Sequence, residues 1–540
     1  MRHRLAAILP VYFVVMAACY AVAFQLRFDF DVPANFRLVF WSSLPFLLIL
    51  KAAGCAITGE WRRTYRYASI SDIAALGVMM FIPLTVDLAV GDDNARAFGE
   101  AAVLTMIFGG LTSLACQNRA RDSISVRQAF LLTLGIWLFV PLFGALPFVV
   151  GTPNVRLIDA YFEAASGITT TGASVFVDVD QLPLGVNLWR AMLNWLGGLG
   201  IAFIAMIFLP IMRVGGMQFF RTEGFDTFGK ALPRATDIAR QLFFVYVVLT
   251  TLCILAYGTL GMGVFEAVAH GLATIATGGF SPRAASFVGY PPAIEYAASV
   301  FMVLGSLPYI RYVQLVNGSA GPLGRDPQVR AYLLWIGMAV AIVTIWRATT
   351  SDQAIEPAFR ESLFNLISIM SSTGFSSGSF SLWGSFAIIV GVWLGIIGAC
   401  SGSSAAGLSV FRVQIMLSAL LAEIRRIHMP HRLAPIKYDG RAVSGDTMDA
   451  IILYLGAYIL GFGIIAELIA ETGVDFESAL FAAWTSIGNI GYGYGPLLAR
   501  TGTFVDFPDP AKVLMIMAMI MGRLSLLSVF VIALPRFWRA

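Results

Sequence analysis

Four short stretches rich in glycine and small polar residues recur along the chain, each between a short and a long apolar segment. Their last glycines are 106, 96 and 117 residues apart (172 to 278, 278 to 374 and 374 to 491). The stretches are too polar for a membrane-spanning helix, and their regular spacing predicts four loops that meet at one axis. They are Thr170–Thr171–Gly172, Ala276–Thr277–Gly278, Ser372–Thr373–Gly374 and Asn489–Ile490–Gly491.

The apolar segments around these loops indicate the class of fold. The chain is 58% hydrophobic and 13% charged, whereas about a quarter of the residues of a soluble domain are charged. The apolar runs have the length of helices and lack the alternation of an outer-membrane barrel strand. The sequence therefore predicts an all-α polytopic membrane protein that lies in a lipid bilayer.

The order of long and short segments predicts the domain organisation. From residue 127 onward the pattern of long segment, short segment, loop and long segment occurs four times, which predicts four repeats whose loops meet at one axis. Two helix pairs precede them. The expected boundaries are 1–72 (accessory helix pair), 73–121 (second helix pair), 122–239, 240–327, 328–447 and 448–540 (repeats 1 to 4).

The distribution of positive charge predicts the orientation. Loops 213–240 and 423–447 are rich in lysine and arginine, as are both ends of the chain, and such loops usually lie in the cytoplasm. We therefore expect twelve spans, both termini in the cytoplasm, and four short segments that enter from outside and return there. A cleaved signal peptide ending near residues 21–23 is the less favoured alternative for the first segment.

Backbone physics suggests what the four loops do. A short helix that enters the membrane and ends at a glycine turn directs its partially negative C-terminal end toward the bilayer centre. Glycine allows backbone angles that turn carbonyls toward the axis, and a ring of carbonyls can replace the hydration shell of a monovalent cation. A single Thr-x-Gly motif is better explained by helix packing, but four at regular spacing favour a cation pathway.

Acidic residues cluster just before the loops and leave two interpretations open. They could form an acidic outer mouth that concentrates cations, or they could stabilise the first turns of the short helices. The residues are Asp159, Glu163, Glu266, Glu361, Asp475 and Glu477.

Two features after the third loop suggest a gate. Residues 398–408 are rich in glycine and serine and predict a break in what would otherwise be one long helix. Arg523 lies deep within the last apolar segment, where an arginine needs water or partners, so we expect it in the pore below the loops. The alternatives are a small-residue helix crossing and an arginine that reaches a membrane interface. The candidate gate residues are Gly398, Cys400, Ser401, Gly402, Ser403, Ser404, Gly407 and Arg523.

Several motifs occur in an order that resembles the Trk/Ktr/HKT superfamily of potassium transporters, and most of all its bacterial TrkH branch. The resemblance covers about residues 77–535. It is carried by YFEAASGITTTGAS, WRAMLNWLGGLGI, HGLATIATGGFS, STGFSS, GACSGSSAAG, SIGNIGYG and MGRL.

The resemblance implies four membrane–pore-loop–membrane repeats around one pseudo-fourfold pore, together with a potassium selectivity filter, a gate and partners. The implied filter positions are Thr171–Gly172, Thr277–Gly278, Thr373–Gly374 and Ile490–Gly491, with residues 398–408 as the gating loop and Arg523 as the pore arginine. It also implies a homodimer with one pore in each subunit, a ring of cytosolic TrkA-type nucleotide-binding subunits and a location in the bacterial inner membrane. The chain departs from the family pattern at Ser409, Tyr492 and Ser525.

Potassium uptake driven by the membrane potential is therefore the leading hypothesis. A sodium-permeable or sodium-coupled transporter is the alternative, and the glycine in all four loops leans toward potassium. A membrane enzyme of envelope polysaccharide synthesis is a remote third, suggested only by residues 1–72. The sequence carries no catalytic cluster, CxxC, HExxH or nucleotide-binding motif, so we expect no enzyme activity, no metal beyond the transported potassium and no cofactor in this chain. The net charge of +4 lies in loops and does not indicate nucleic-acid binding.

Overall fold

The computed structural model describes residues 71–116, 126–203, 235–351, 353–378, 380–429, 436–524 and 529–531. The predicted accessory pair at 1–72 lies almost wholly outside these ranges, as do Ser525 and most of the basic loop at 213–240. The chain forms two compact units. Of the described residues, the smaller unit contains 71–116, 142–155 and 183–189, and the larger unit contains 126–141, 156–182 and those from 190 onward.

The described chain is mostly helical. Up to residue 203 the helices are α1 Ser71–Met79, α2 Phe81–Val90, α3 Ala95–Cys116, α4 Val126–Gly144, α5 Leu146–Val150, α6 Leu157–Ile168 and α7 Leu184–Phe203. From residue 235 to residue 350 they are α8 Ala235–Thr259, α9 Val264–Ile275, α10 Pro292–Gly305, α11 Tyr309–Val316, α12 Gly321–Arg325 and α13 Pro327–Thr350.

The remaining helices are α14 Ile355–Met370, α15 Ser385–Ile397, α16 Val410–His428, α17 Gly445–Glu471, α18 Phe476–Gly488 and α19 Asp509–Leu524. One small sheet qualifies the all-α expectation. Strands β1 Lys437–Tyr438 and β2 Arg441–Ala442 pair in an antiparallel hairpin, with Lys437 opposite Ala442. The turn between them contains Asp439 and Gly440, both at positive φ, a combination that favours a tight hairpin.

Length separates two kinds of helix. Five helices in the described ranges are long and apolar enough to cross a membrane, and a sixth span results if the bent pair α10 and α11 is counted as one. Helices α6, α9, α14 and α18 contain 12, 12, 16 and 13 residues. At about 1.5 Å per residue they measure about 18–24 Å, less than the ~30 Å hydrocarbon core.

In the smaller unit, the carboxylate of Asp87 is buried, and both of its oxygens accept hydrogen bonds. It accepts hydrogen bonds from the Gly185 amide at 2.5 Å and from Asn94 Nδ2 at 3.2 Å. Asn94 in turn accepts from the Thr152 amide at 2.8 Å. These bonds connect three segments that are distant in sequence, so Asp87 is a structural residue here.

The predicted break after the third loop lies between Ile397 and Val410. Gly398 and Ser409 border it with φ values of 69° and 74°, which no helix can continue through. The amides of Leu408 and Ser409 bond back to the carbonyls of Ile396 and Ile397 at 3.1 and 2.8 Å. The segment 398–409 is therefore a closed, ordered loop, which we call the break loop.

Candidate functional site

Each of the four short helices ends in a turn of the same conformation. We name the five residues that follow L1 (170–174), L2 (277–281), L3 (372–376) and L4 (489–493). Their first residues all have positive φ: 50° at Thr170, 51° at Thr277, 57° at Ser372 and 47° at Asn489. Their third residues are also left-handed and are all glycine, which we call the ring glycines: Gly172, Gly279, Gly374 and Gly491.

This common geometry corrects the sequence register of the second loop. The sequence aligned Thr277–Gly278 with Thr171–Gly172, but the Gly278 amide bonds to Ala273 O at 2.9 Å in the way the Thr171 amide bonds to Ser166 O at 2.8 Å. Ala276, predicted as a filter residue, is the C-cap of α9 and precedes the loop. Gly279, which the sequence analysis missed, is the equivalent of Gly172, and the repeated glycine in Thr277–Gly278–Gly279 was the available signal.

The ring glycines bring the four loops into contact in a closed cycle. A Cβ built on Gly172 would lie 2.5 Å from the Gly278 carbonyl oxygen of L2. In the same way, a Cβ on Gly279, Gly374 or Gly491 would overlap a carbonyl oxygen of the next loop: Thr373 for Gly279, Ile490 for Gly374 and Thr171 for Gly491. Each loop touches the next, and the fourth returns to the first.

Two cavities bear on the site, one lined by the ring and one lined by the break loop. One has a volume of about 300 Å³ and is lined by all four ring glycines together with Arg190 and other residues. The other has a volume of about 70 Å³ and is lined by the 398–409 loop, Arg412, Tyr454 and Arg523. The ring is therefore exposed to one cavity, while the break loop and Arg523 line the second.

Arg523 joins the break loop to the ring. Its Nη2 donates to Thr170 Oγ1 of L1 at 2.5 Å and to the Ser404 carbonyl oxygen. The residue is 8% exposed, and its Nε has no hydrogen-bond partner among the described residues. The guanidinium therefore lies buried directly beside the first loop and the break loop.

The break loop also contacts L3 and the end of α9. The Ala406 amide donates to Ser372 Oγ at 3.3 Å. Ser404 Oγ donates to Ile275 O at 3.4 Å and shares a hydrogen bond of 2.8 Å with Tyr309 Oη. The loop therefore contacts L3 and the end of α9 directly, and it is connected to L1 through Arg523.

The other candidate gate residues fix the conformation of the break loop. A Cβ on Gly398 would overlap the Ala406 carbonyl, and one on Gly407 would lie 2.9 Å from Gly398 Cα. The Gly402 carbonyl accepts from the Tyr309 amide, the Ser401 amide donates to Gln328 Oε1, and Ser403 Oγ donates to Cys400 O, at 2.9, 2.8 and 2.7 Å. Cys400 is buried with a free thiol, as is Cys253.

A buried ion pair beside L1 was not anticipated. Arg190 Nε contacts Glu163 Oε1 at 2.8 Å, with the side chains 3% and 0% exposed. Glu163 also accepts from the Val175 amide and Ser174 Oγ at 2.9 Å each, and Arg190 donates to Ser281 O of L2 at 3.0 Å. The pair fixes the outer end of L1 relative to L2.

The remaining acidic residues before the loops are mostly paired. Asp159 bonds to Lys512 Nζ at 2.6 Å, and Glu361 bonds to Arg347 at 2.7 Å. Asp475 caps α18 by accepting from the Ser478 amide at 2.9 Å, and Glu266 accepts from Tyr290 Oη at 2.7 Å. Among the described residues, no group of three or more His, Cys, Asp and Glu side chains could hold a metal ion.

Apolar helices surround a closed cycle of contacts between glycines and backbone carbonyls, and this arrangement places the chain in the class of helical membrane proteins. Comparison with known proteins agrees with that class. A family model described as TrkH, cation transport protein, matches residues 95–539. The chain belongs to this TrkH family of cation transport proteins.

Individual relatives cover most of the chain. It is 34% identical over 481 residues to the Trk system potassium uptake protein TrkI of Halomonas elongata, covering 88% of this chain and 97% of that protein. It is 33% identical over 490 residues to the Trk system potassium uptake protein TrkH of Escherichia coli, covering 88% and 99%. The crystal structure of the potassium transporter TrkH from Vibrio parahaemolyticus superposes with a TM-score of 0.80 at 28% identity, covering 88% of this chain and 99% of that one.

Proposed function

We propose that this chain takes up potassium through the ring formed by L1 to L4, which acts as its selectivity filter. The closed cycle of contacts between ring glycines and neighbouring carbonyls is the observation that carries the proposal. Backbone carbonyls at the ends of four short helices replace water around a monovalent cation. Relatives at 33–34% identity are named potassium uptake proteins, which supports potassium as the ion.

The cations would enter from the 300 Å³ cavity, which serves as the outer vestibule in this proposal. Inward movement of one monovalent cation gains roughly 2.3 kcal/mol per 100 mV of membrane potential, so uptake needs no chemistry within the chain. The proposed organisation is the one expected from the sequence: four pore repeats at 122–239, 240–327, 328–447 and 448–540, preceded by the helix pair 73–121. We also propose that both termini lie in the cytoplasm and that the membrane is the bacterial inner membrane.

The proposed gate is the break loop 398–409 together with Arg523. Its contacts with Thr170, Ser372 and Ile275 put it directly against the ring, and the guanidinium charge would repel a cation that leaves the filter. Opening requires the loop to move away from these partners. The proposed assembly is a homodimer with one pore per subunit, regulated by a cytosolic TrkA-type nucleotide-binding subunit.

Arg523→Ala tests the electrostatic part of the gate. We expect potassium uptake to rise by about tenfold, which is a barrier lower by about 1.4 kcal/mol, because the positive charge beside Thr170 is removed. The measurement is initial ⁸⁶Rb⁺ uptake into proteoliposomes at a fixed potential. Arg523→Lys retains the charge and should stay near the wild-type rate. An equal rise in both variants would indicate that the arginine only tethers the loop.

Growth of a potassium-uptake-deficient bacterial strain at limiting potassium tests the proposed function. The chain should rescue growth, alone or with a TrkA-type subunit, and Gly374→Asp should abolish the rescue because its side chain would collide with the Ile490 carbonyl. Membrane fractionation and detergent gel filtration establish that both proteins insert and fold. Well-inserted wild-type protein that fails to rescue with either subunit composition would contradict potassium uptake and favour sodium transport.

A further inference from the structure

The residue at one equivalent position in the four short helices determines how the loop that follows is held at its outer end. Seven residues before the first residue of each loop stand Glu163, His270, Asn365 and Ala482, and all four are 0% exposed. Glu163 accepts from the Val175 amide at 2.9 Å, His270 Nε2 shares a bond of 3.1 Å with Ser281 Oγ, and Asn365 Oδ1 accepts from the Ser377 amide at 3.1 Å. Helix α18 has an alanine there and cannot make this contact.

The residue that follows each ring glycine is a second equivalent position, and it lies close to the helix position just described. These residues are Ala173, Phe280, Phe375 and Tyr492. In L2, L3 and L4 this residue packs on the short helix that belongs to the previous loop, or on the ion pair of that helix. The Phe375 ring is 5.7 Å from His270, and the Phe280 ring lies 4.4 Å from the guanidinium of Arg190, the partner of Glu163.

Tyr492 makes the corresponding contact as a hydrogen bond. Its Oη donates to Asn365 Oδ1. Asn365 is then fully satisfied, because its Nδ2 donates to Glu361 O at 2.8 Å and to Ser377 O at 2.6 Å while Oδ1 also accepts from the Ser377 amide. One buried amide thus holds the outer segment of its own loop and, through Tyr492, the neighbouring loop L4.

We propose that Tyr492 is a positioning residue for ion selection, which holds the outer end of L4 against Asn365 and so fixes where the Ile490 carbonyl stands in the ring. The inference rests on the proposed function, whose ring it refines. L4 depends on this contact because Ala482 gives it no tether of its own. The inner end of L4 is held separately, by Asn489 Nδ2 donating to Thr171 Oγ1 and to Met519 O, each at 2.9 Å.

The physical consequence concerns the smaller competing ion. A filter whose carbonyls are held at a fixed spacing favours the ion that fits it, whereas carbonyls that can move inward also coordinate a smaller cation. Without the Tyr492 hydroxyl, the Ile490 carbonyl can shift while Gly374 and the other three loops stay in place. Selectivity against sodium should fall more than the transport rate does.

Tyr492→Phe tests this with little risk to folding, since phenylalanine occupies the equivalent position in L2 and L3. We expect the K⁺/Na⁺ permeability ratio, from reversal potentials or competition with ⁸⁶Rb⁺ uptake, to fall by about fivefold to tenfold, with potassium uptake within about twofold of wild type. Tyr494→Phe is the matched control, because the Tyr494 hydroxyl makes no hydrogen bond to another described residue and its ring packs against Phe481, with the ring centroids 4.8 Å apart. An unchanged ratio in Tyr492→Phe, or an equal fall in Tyr494→Phe, would overturn the proposal.

A double-mutant cycle separates positioning from general loosening. In an Asn365→Leu background the acceptor is absent, so adding Tyr492→Phe should change the ratio by less than about twofold. A further fall as large as in the wild-type background would mean that Tyr492 does not act through Asn365.

Amide hydrogen exchange on purified protein gives a readout that does not need transport. Exchange in residues 489–495 should become faster in Tyr492→Phe and stay unchanged in Tyr494→Phe, whereas L1 and L2 stay protected in both. If the wild-type protein carried no potassium, the proposed function would fail while this exchange pattern still tested the tether. If the exchange of L4 were unaffected in Tyr492→Phe, the tether itself would be refuted.

Discussion

Gly279→Ala is expected to reduce potassium uptake to below about 1% of the wild-type rate, a barrier increase of about 2.7 kcal/mol. Two effects combine at this position. The backbone has φ of +74°, and the added Cβ would overlap the Thr373 carbonyl oxygen of the neighbouring loop. Relief of that overlap requires L2 and L3 to separate, which breaks the cycle of four contacts. The measurement is ⁸⁶Rb⁺ uptake normalised to inserted protein.

Gly502→Ala is the matched control for this prediction. Its φ is +68°, yet nothing lies within 4 Å of the added Cβ. It carries the same left-handed backbone penalty of about 1–2 kcal/mol without a collision in the ring, so uptake should stay close to wild type. Comparable losses in both variants would mean that backbone strain alone, and not the contact between L2 and L3, impairs transport.

Glu163→Gln is expected to cost about 3–5 kcal/mol in the free energy of unfolding, because it leaves a buried arginine without its carboxylate. Arg190 is only 3% exposed at its side chain, so solvent compensates poorly for the lost carboxylate. Its bond to the Ser281 carbonyl would remain, but that carbonyl does not neutralise the charge. Denaturant unfolding in detergent micelles, followed by tryptophan fluorescence, measures the change.

Two comparisons make this second prediction specific. Arg156→Ala removes ion pairs with Asp509 and Asp159 from an arginine side chain that is 61% exposed, and it should cost at most about 1 kcal/mol because Asp159 keeps its bond to Lys512. The double variant Glu163→Gln with Arg190→Met removes the isolated charge and should recover part of the loss. If Glu163→Gln lost no more free energy of unfolding than Arg156→Ala, the buried ion pair would contribute no more to stability than the exposed one.

Local composition was enough to predict several parts of the site. The glycine and serine content of residues 398–408 predicted a break, and the structure has that break between Ile397 and Val410. Arg523 was expected near the loops because an arginine within an apolar segment needs partners, and it bonds to Thr170 and Ser404. Both inferences depend on properties of a single stretch of chain.

The register of L2 shows where composition alone fails. Thr277–Gly278 matches the Thr-Gly pair of L1 and L3 in sequence, and the repeated glycine signals only that Gly279 is a second candidate for the ring residue. The choice follows from where α9 ends, at Ile275 with Ala276 as its C-cap. It also follows from Gly279 meeting the Thr373 carbonyl of another loop.

The sequence by itself determined the helical membrane class, the number of loops, the break and the buried arginine, because apolar length and glycine content act locally along the chain. Only the tertiary structure decided which side chains meet. Glu163 and Arg190 are 27 residues apart, Asn365 and Tyr492 are 127 apart, and Thr170 and Arg523 are 353 apart. Such pairs depend on how the short helices pack around one axis, and a contact between distant segments leaves no periodic pattern in the sequence of either segment.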